Sequence, residues 1–415
     1  MSLVPRPTYL EAVRPLIDQP VIKVLTGMRR SGKSSLMQLL AQDLRQRGVP
    51  EGSVLHLDFE NLELSSLVTP QALNHFVLDW LPSQGRGYIL LDEVQEVAGW
   101  EKVVNSLQAS RDVDLYITGS NSRMLSSELA TYIAGRYAST QVHTLSFSEY
   151  ITFTQARDEG FGAVDLAVQF DRYLRRGGFP GLTGLQTDDV QHYRAVRDIY
   201  ESALLRDAIA RRGLRNVDMV KRVAAFALDN VGNPFSARSV VAFFKSQRRT
   251  VAPDTVLGYL DALCEAFVLT RVPRYDLRGK TLLTINEKYY AGDHALVHAV
   301  LGYSDTRLPG VLENIVAAEL QRRGYDIAIG RLGEREIDFV ATKGNDRLYV
   351  QVTASLSGSE STRERELAPL LAIRDAHPKL VLSLDRQAGG NTKGVQHLWL
   401  PAWLLGQTNG ESPMQ

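Results

Sequence analysis

Val21-Ile-Lys-Val-Leu-Thr26-Gly27-Met-Arg-Arg-Ser-Gly32-Lys33-Ser34-Ser35 is the stretch on which the reading of this 415-residue chain turns. Val21 to Thr26 is a short, mainly apolar run that reads as a strand. From Ser34 to Arg47, Leu36, Leu39, Leu40 and Leu44 then recur at helical spacing until Gly48. Between strand and helix lies G-x-x-x-x-G-K-[ST] with every fixed position filled. Glycines let such a loop curl until its N–H groups surround phosphates, and the helix amino terminus adds its positive end. Lys33 would reach the β- and γ-phosphates, and the Ser34 hydroxyl would ligate Mg²⁺. Gly27, Met28, Arg29, Arg30, Ser31, Gly32, Lys33, Ser34 and Ser35 are therefore the candidate nucleotide-binding residues, with ATP and Mg²⁺ as the expected cofactors.

Working outward, further strands are expected at Val54–Phe59, Tyr88–Asp92, Leu115–Gly119 and Thr140–Leu145. Strands separated by helical segments imply crossover connections, hence a parallel sheet and an α/β domain. Tyr88-Ile-Leu-Leu-Asp92-Glu93 is an apolar strand ending in two carboxylates, 59 residues beyond Lys33. That distance is what two βα units occupy. In a phosphoryl-transfer enzyme Asp92 would hold Mg²⁺ and Glu93 would polarise the attacking water. Gln95 is a candidate for orienting that water. A second polar strand end follows at Ile117-Thr-Gly-Ser120-Asn121, then a helix expected over 126–134 and Gly135-Arg136.

Composition narrows the classes. Hydrophobic residues are 44% and charged residues 23%, ordinary for a globular protein. Lys+Arg and Asp+Glu are 47 each, so no global positive field argues for nucleic acid. Arg, at 37 of those bases, suits bidentate phosphate contacts. The single cysteine, Cys264, excludes an internal disulfide and reads as core. No signal-peptide core and no apolar stretch of membrane-spanning length is seen, so a cytoplasmic protein without membrane contact is expected. One local excess stands out: Arg194 to Arg249 holds twelve bases against five acids.

The layout of strand ends resembles the AAA+ ring-forming ATPases. That resemblance implies that Ser120 or Asn121 senses the γ-phosphate and that Arg136 completes a neighbour's site as an arginine finger, in a homo-oligomer, expected to be a hexamer. Gly27-Met-Arg-Arg-Ser-Gly-Lys-Ser, Asp92-Glu-Val-Gln95, Leu145-Ser-Phe-Ser-Glu-Tyr150, Gly177-Gly-Phe-Pro180 and Lys288-Tyr-Tyr-Ala-Gly-Asp293 together resemble a prokaryotic family of AAA-type ATPases fused to a carboxy-terminal domain of formerly unknown function.

By the same resemblance the basic middle segment is similar to a winged helix, with helices from Ser236 and from Pro253 and a wing over Val268–Tyr290. Arg248, Arg249, Arg271, Arg274, Arg278 and Lys280 become the candidate DNA backbone contacts. The last part resembles the PD-(D/E)XK nuclease fold. It carries Glu313 on a helix and Asp338 on a strand, but Gln351 and Thr353 stand where that fold has Glu and Lys. The site is therefore expected to be degenerate. The expected fold is an α/β P-loop NTPase with an AAA+ parallel sheet, then a helical and winged-helix region, then an α/β PD-(D/E)XK nuclease-like domain. Expected boundaries are 1–147 for the ATPase core, 148–215 for a helical lid, 216–305 for the winged helix, 306–406 for the nuclease-like domain and 407–415 for a loose tail. The expected function is Mg²⁺-dependent ATP hydrolysis by a ring, coupled to binding or remodelling of DNA, branched or repair-intermediate DNA in particular. The alternatives are a nucleotide-gated switch that holds protein partners and a metal-dependent nuclease.

Overall fold

Five short runs, rich in β-branched and apolar residues, form the sheet that carries the phosphate loop. In the computed structural model they are β1 (Ile22–Thr26), β2 (Val54–Asp58), β3 (Gly87–Asp92), β4 (Val113–Gly119) and β5 (Tyr137–Gln141). The structure describes residues 3–83, 85–122, 136–357, 360–387 and 389–407. The strands lie in the order β2-β3-β4-β1-β5, all parallel. β1 and β4 are buried at every position, as central strands covered on both faces must be. One core packs Leu73, Val77, Trp100 and Val104 from the helices Pro70–Trp80 and Trp100–Ser110 against Ile22, Val24, Ile89 and Leu115. The opposite core sets Leu36, Met37 and Leu40 of the helix Lys33–Gln46 on Leu25, Leu90 and Tyr116.

The fifth strand corrects the expectation of a strand at Thr140–Leu145. It starts earlier, at Tyr137, and pairs Ile22 with Tyr137 through Thr26 with Gln141. As an edge strand it is only half-buried and carries Ala, Ser and Thr, so apolar patterning points past it to Val142 and Leu145. The helix expected over 126–134 and Gly135 lie outside the described residues, as does the tail from 408.

The chain divides into two compact units, Met1–Thr144 with Glu265–Phe267, and Leu145–Cys264 with Val268–Gln415. The second unit begins with helices. Phe147–Gln155 opens on a capping box in which Ser146 and Glu149 satisfy each other's backbone N–H groups. Leu166–Arg176 and Asp189–Ser202 follow, then Val217–Asp229, Ala237–Ser246 and Pro253–Glu265. Cys264, expected in the core, is only partly buried.

Next come the hairpin β6 (Leu269–Asp276) and β7 (Thr281–Ala291), the helix Leu308–Arg322, and β8 (Asp326–Leu332), β9 (Arg335–Lys343), β10 (Asp346–Val352), β11 (Lys379–Ser383), β12 (Asn391–Thr392) and β13 (Val395–Trp399). All eight strands belong to one sheet, β12-β13-β11-β10-β9-β8-β6-β7. The hairpin expected as a wing is thus an integral edge of this sheet. β6 runs parallel to β8, pairing Arg274 with Ile329 through Asp276 with Arg331. The sheet crosses the boundary expected at 305/306.

Candidate active site

Gly27 leaves β1 with no room for a side chain, because a Cβ there would stand 2.2 Å from the Val142 carbonyl oxygen. Gly32 ends the loop in the left-handed region at φ 96°, which a residue without Cβ adopts freely, and Lys33 opens the helix. Lys33 is buried, and its Nζ donates to the Gly27 carbonyl at 3.1 Å and the Met28 carbonyl at 3.3 Å. It also stands 3.2 Å from Glu93 Oε1. Arg29 pairs with Glu60 at 2.5 Å. Arg30 is exposed.

Asp92 and Glu93 end β3 next to β4. Glu93 itself adopts the left-handed conformation, φ 50°, at a cost of about 1–2 kcal/mol for a residue with a Cβ. Thr118, on β4, joins the two acids: its hydroxyl donates to Asp92 Oδ1 and accepts the Glu93 backbone N–H at 2.9 Å. Gln95 donates to Glu93 Oε2. Burial raises the Asp92 carboxyl above the usual carboxylate range, while the Thr118 and Ser34 hydroxyls pull it back down. Burial would raise Glu93 too, but the charge of Lys33, the Gln95 amide and Arg29 outweigh it and hold Glu93 below its ordinary value. The neighbouring acids are therefore shifted in opposite directions, Asp92 by burial and Glu93 by the positive charge beside it.

Two contributors escaped the sequence reading. Thr118 lies inside the Ile117-Thr-Gly-Ser120 motif, ahead of Ser120 and Asn121, which are both buried just past the end of β4. Its signal was a hydroxyl on a central strand next to one ending in Asp-Glu. Arg6 is the other. Its guanidinium donates to the Ser31 carbonyl at 2.9 Å and the His143 carbonyl at 3.0 Å, and it lies over the Tyr9 ring. Tyr9 accepts the His143 N–H at 3.0 Å. The amino-terminal segment thus ties the phosphate loop to the chain leaving β5. Nothing in the local pattern announces an arginine more than twenty residues ahead of the loop. Arg136 is exposed, and its carbonyl accepts from the Ile22 N–H immediately before β5.

The expected DNA contacts divide. Arg249 is 3.2 Å from Asp218, Arg271 pairs with Asp261 and lies 3.4 Å from Glu287, and Arg274 is 3.7 Å from Glu336. Arg248, Arg278 and Lys280 are exposed. In the carboxy-terminal sheet Asp338 and Gln351 are neighbours, while Glu313 lies on the helix Leu308–Arg322. Asp338 N–H donates weakly to Gln351 Oε1 at 3.4 Å, and Gln351 donates to Glu366 at 3.2 Å. The Thr353 hydroxyl donates to the Ser355 carbonyl at 3.3 Å. The unforeseen member is Lys288 of β7, 3.0 Å from Glu313. No helix among the described residues is long and apolar enough to cross a membrane.

The family described as "AAA domain" matches residues 19–151, and a domain of unknown function (DUF8612) matches residues 167–307. An uncharacterized protein of Haemophilus influenzae is 34% identical over 97% of this chain and 99% of its own length. An uncharacterized protein of Methanocaldococcus jannaschii is 25% identical over 85% of this chain and 79% of that protein. Among solved structures, a Walker-type ATPase of Pyrococcus abyssi is similar over 71% of this chain and 95% of its own, at 15% identity and a TM-score of 0.44. The Aeropyrum pernix Orc1 protein, in complex with DNA, is similar over 70% of this chain and 90% of its own, at 13% identity and a TM-score of 0.30. The phosphate loop, the paired acids and the parallel sheet agree with the AAA match, and the chain belongs to the family of P-loop AAA-type ATPases that includes the Haemophilus influenzae protein.

Proposed function

We propose that this chain hydrolyses ATP with Mg²⁺ at the ends of β1, β3 and β4, within an oligomeric ring, and that hydrolysis drives work on DNA. The carrying observation is that Thr118 bridges Asp92 and Glu93 while Lys33 lies 3.2 Å from Glu93. The loop N–H groups and Lys33 would hold the β- and γ-phosphates. The residues fit Mg²⁺: Asp92 Oδ2 is a buried oxygen with no hydrogen-bond partner among the described residues, and Ser34 stands in the first turn of the loop helix. When bound, the ion would offset charge on the phosphate oxygens. Glu93 would accept a proton from the attacking water as its oxygen bonds to the γ-phosphorus and the bond to the bridging oxygen breaks. Its depressed pKa keeps it ionised for that role, and Gln95 fixes its direction. Arg136, exposed immediately before β5, would serve a neighbouring subunit's nucleotide.

DNA is supported by the excess of seven bases between Arg194 and Arg249, which pairing with the five acids of that segment does not remove. Since Arg249, Arg271 and Arg274 already face acids, the contacts fall to exposed bases: Arg248, Arg278 and Lys280, joined by Arg238 and Lys245 on the helix Ala237–Ser246. The test is ATP turnover by the full chain, alone and with single-stranded, duplex and four-way-junction DNA at two salt concentrations. Stimulation by one DNA form that fades at high salt supports the reading, because phosphate contacts release counterions. Turnover indifferent to every DNA, with no binding at low salt, overturns the DNA half and favours a switch that holds protein partners. A chain that turns over no ATP at all sinks the whole reading.

A further inference from the structure

Lys288 is 2% exposed and sits among three acids drawn from two other elements. Its Nζ stands 3.0 Å from Glu313 Oε2 on the helix Leu308–Arg322, and 2.8 Å from Glu336 Oε1 and 3.9 Å from Asp338 Oδ1 on β9. Glu336 and Asp338, two residues apart on a strand, share one face of the sheet. Other donors meet the same acids: Tyr290 donates its hydroxyl to Glu313 Oε2 at 2.9 Å, and the Val352 N–H donates to Asp338 Oδ2 at 2.8 Å. Arg274 lies 3.7 Å from the second oxygen of Glu336.

The nuclease fold that this unit resembles requires a divalent cation between the helix acid and the strand Asp. The residues present do not fit one. As they stand, with Lys288 among them, no three His, Cys, Asp or Glu side chains of the described residues are arranged to hold a metal ion. A buried ammonium lies against the same oxygens, where it would repel a second cation. Burial opposes the charge on Lys288, but Glu313, Asp338 and Glu336 together outweigh it and raise its pKa, so the ammonium persists at any physiological pH.

We propose that Lys288 is the resident cation of this centre: its ammonium takes the place that a divalent ion would need beside Glu313 and Asp338, so the unit keeps the nuclease-like acids, binds no metal through them and cuts no DNA. The lysine that Thr353 fails to supply is thus present from another strand, in a position that closes the site. Removing one partner of such a buried cluster leaves the others uncompensated. In Lys288→Met the freed carboxylates should recruit the missing positive charge. A cavity of about 210 Å³, lined in part by Gly232, Arg307 and Gly310, reaches Glu313.

The experiment counts Mn²⁺ bound to the full chain, without nucleotide, by the loss of the free-ion electron paramagnetic resonance signal. Wild type and Asp338→Asn should bind the same amount. Lys288→Met should bind one further Mn²⁺ per chain, which Glu313→Gln should remove again in the double variant. A Mn²⁺ bound by wild type and lost in Asp338→Asn overturns the proposal, as does Mn²⁺-dependent nicking of supercoiled DNA that Asp338→Asn abolishes. A folded Lys288→Met that gains no ion also overturns it. If Lys288→Met does not fold, the comparison of wild type with Asp338→Asn still decides whether the centre holds metal. ATP turnover in the same variants reports separately on the first unit, so failure here leaves the ATPase reading untouched.

Discussion

Replacing Thr118 with valine keeps the shape of a fully buried β4 side chain and deletes one hydroxyl, which makes the perturbation unusually clean. The hydroxyl donates to a buried carboxylate and accepts a backbone N–H. A hydrogen bond to a charged group contributes about 1.5–3 kcal/mol, and a buried N–H left without a partner costs about 1–3 kcal/mol. With partial relaxation, Thr118→Val should destabilise the first unit by about 3–5 kcal/mol, lowering its melting temperature by roughly 10 °C. The same hydroxyl pulls the Asp92 pKa down against burial, so its loss should raise that pKa further. The acid limb of ATP turnover should accordingly move to higher pH, because Asp92 must be ionised to hold a cation. Thermal melts and turnover from pH 5 to pH 9, with Thr118→Ser as the hydroxyl-retaining control, test both consequences. An unchanged melt with an unmoved acid limb would refute the bridge, and so would a serine variant that behaves like the valine one.

Glu93→Gln should keep ATP binding while lowering turnover by about 10²–10⁴-fold, the usual worth of a positioned general base; single-turnover kinetics beside a binding titration would show the split. Because the folded-state pKa of Glu93 is depressed, its ionisation stabilises the protein at neutral pH and that stability is lost as pH falls through the depressed value. Melting temperature against pH should thus fall less steeply on acidification in Glu93→Gln than in wild type. Arg136→Ala should abolish hydrolysis yet spare ATP binding, and mixing it with Glu93→Gln should restore some turnover if two subunits share each site. Arg6→Ala releases the Ser31 and His143 carbonyls and should raise KM for ATP about 5–10-fold more than it lowers kcat, since about 1 kcal/mol of loop preorganisation is lost.

The phosphate loop was legible because its requirements are local. A strand, a curl that tolerates no Cβ at Gly27, a left-handed Gly32 and a helix start are all written into contiguous residues. Asp92 and Glu93 were legible for the same reason, as carboxylates ending an apolar strand whose neighbours follow from βα succession. The edge strand β5 was misplaced because half-buried Ala, Ser and Thr carry little apolar signal, and pairing with β1 decides its start at Tyr137. The role of Thr118 is not local, since only the adjacency of β3 and β4 lays its hydroxyl across both acids.

Carboxy-terminal to the first unit the balance tips further toward tertiary structure. Helices and the hairpin strands were visible in periodicity, but whether that hairpin stood free as a wing or extended a sheet depended on β6 meeting β8, about fifty residues later. Arg274 is a candidate DNA contact in the sequence, and only the fold sets Glu336 3.7 Å from it. Lys288 shows the limit most plainly. Its approach to Glu313 and Asp338 brings together β7, a helix and β9, and neither spacing nor motif encodes a meeting of that kind. Charge type and backbone geometry are properties of a sequence; which charges neutralise one another is a property of distance, and distance belongs to the fold.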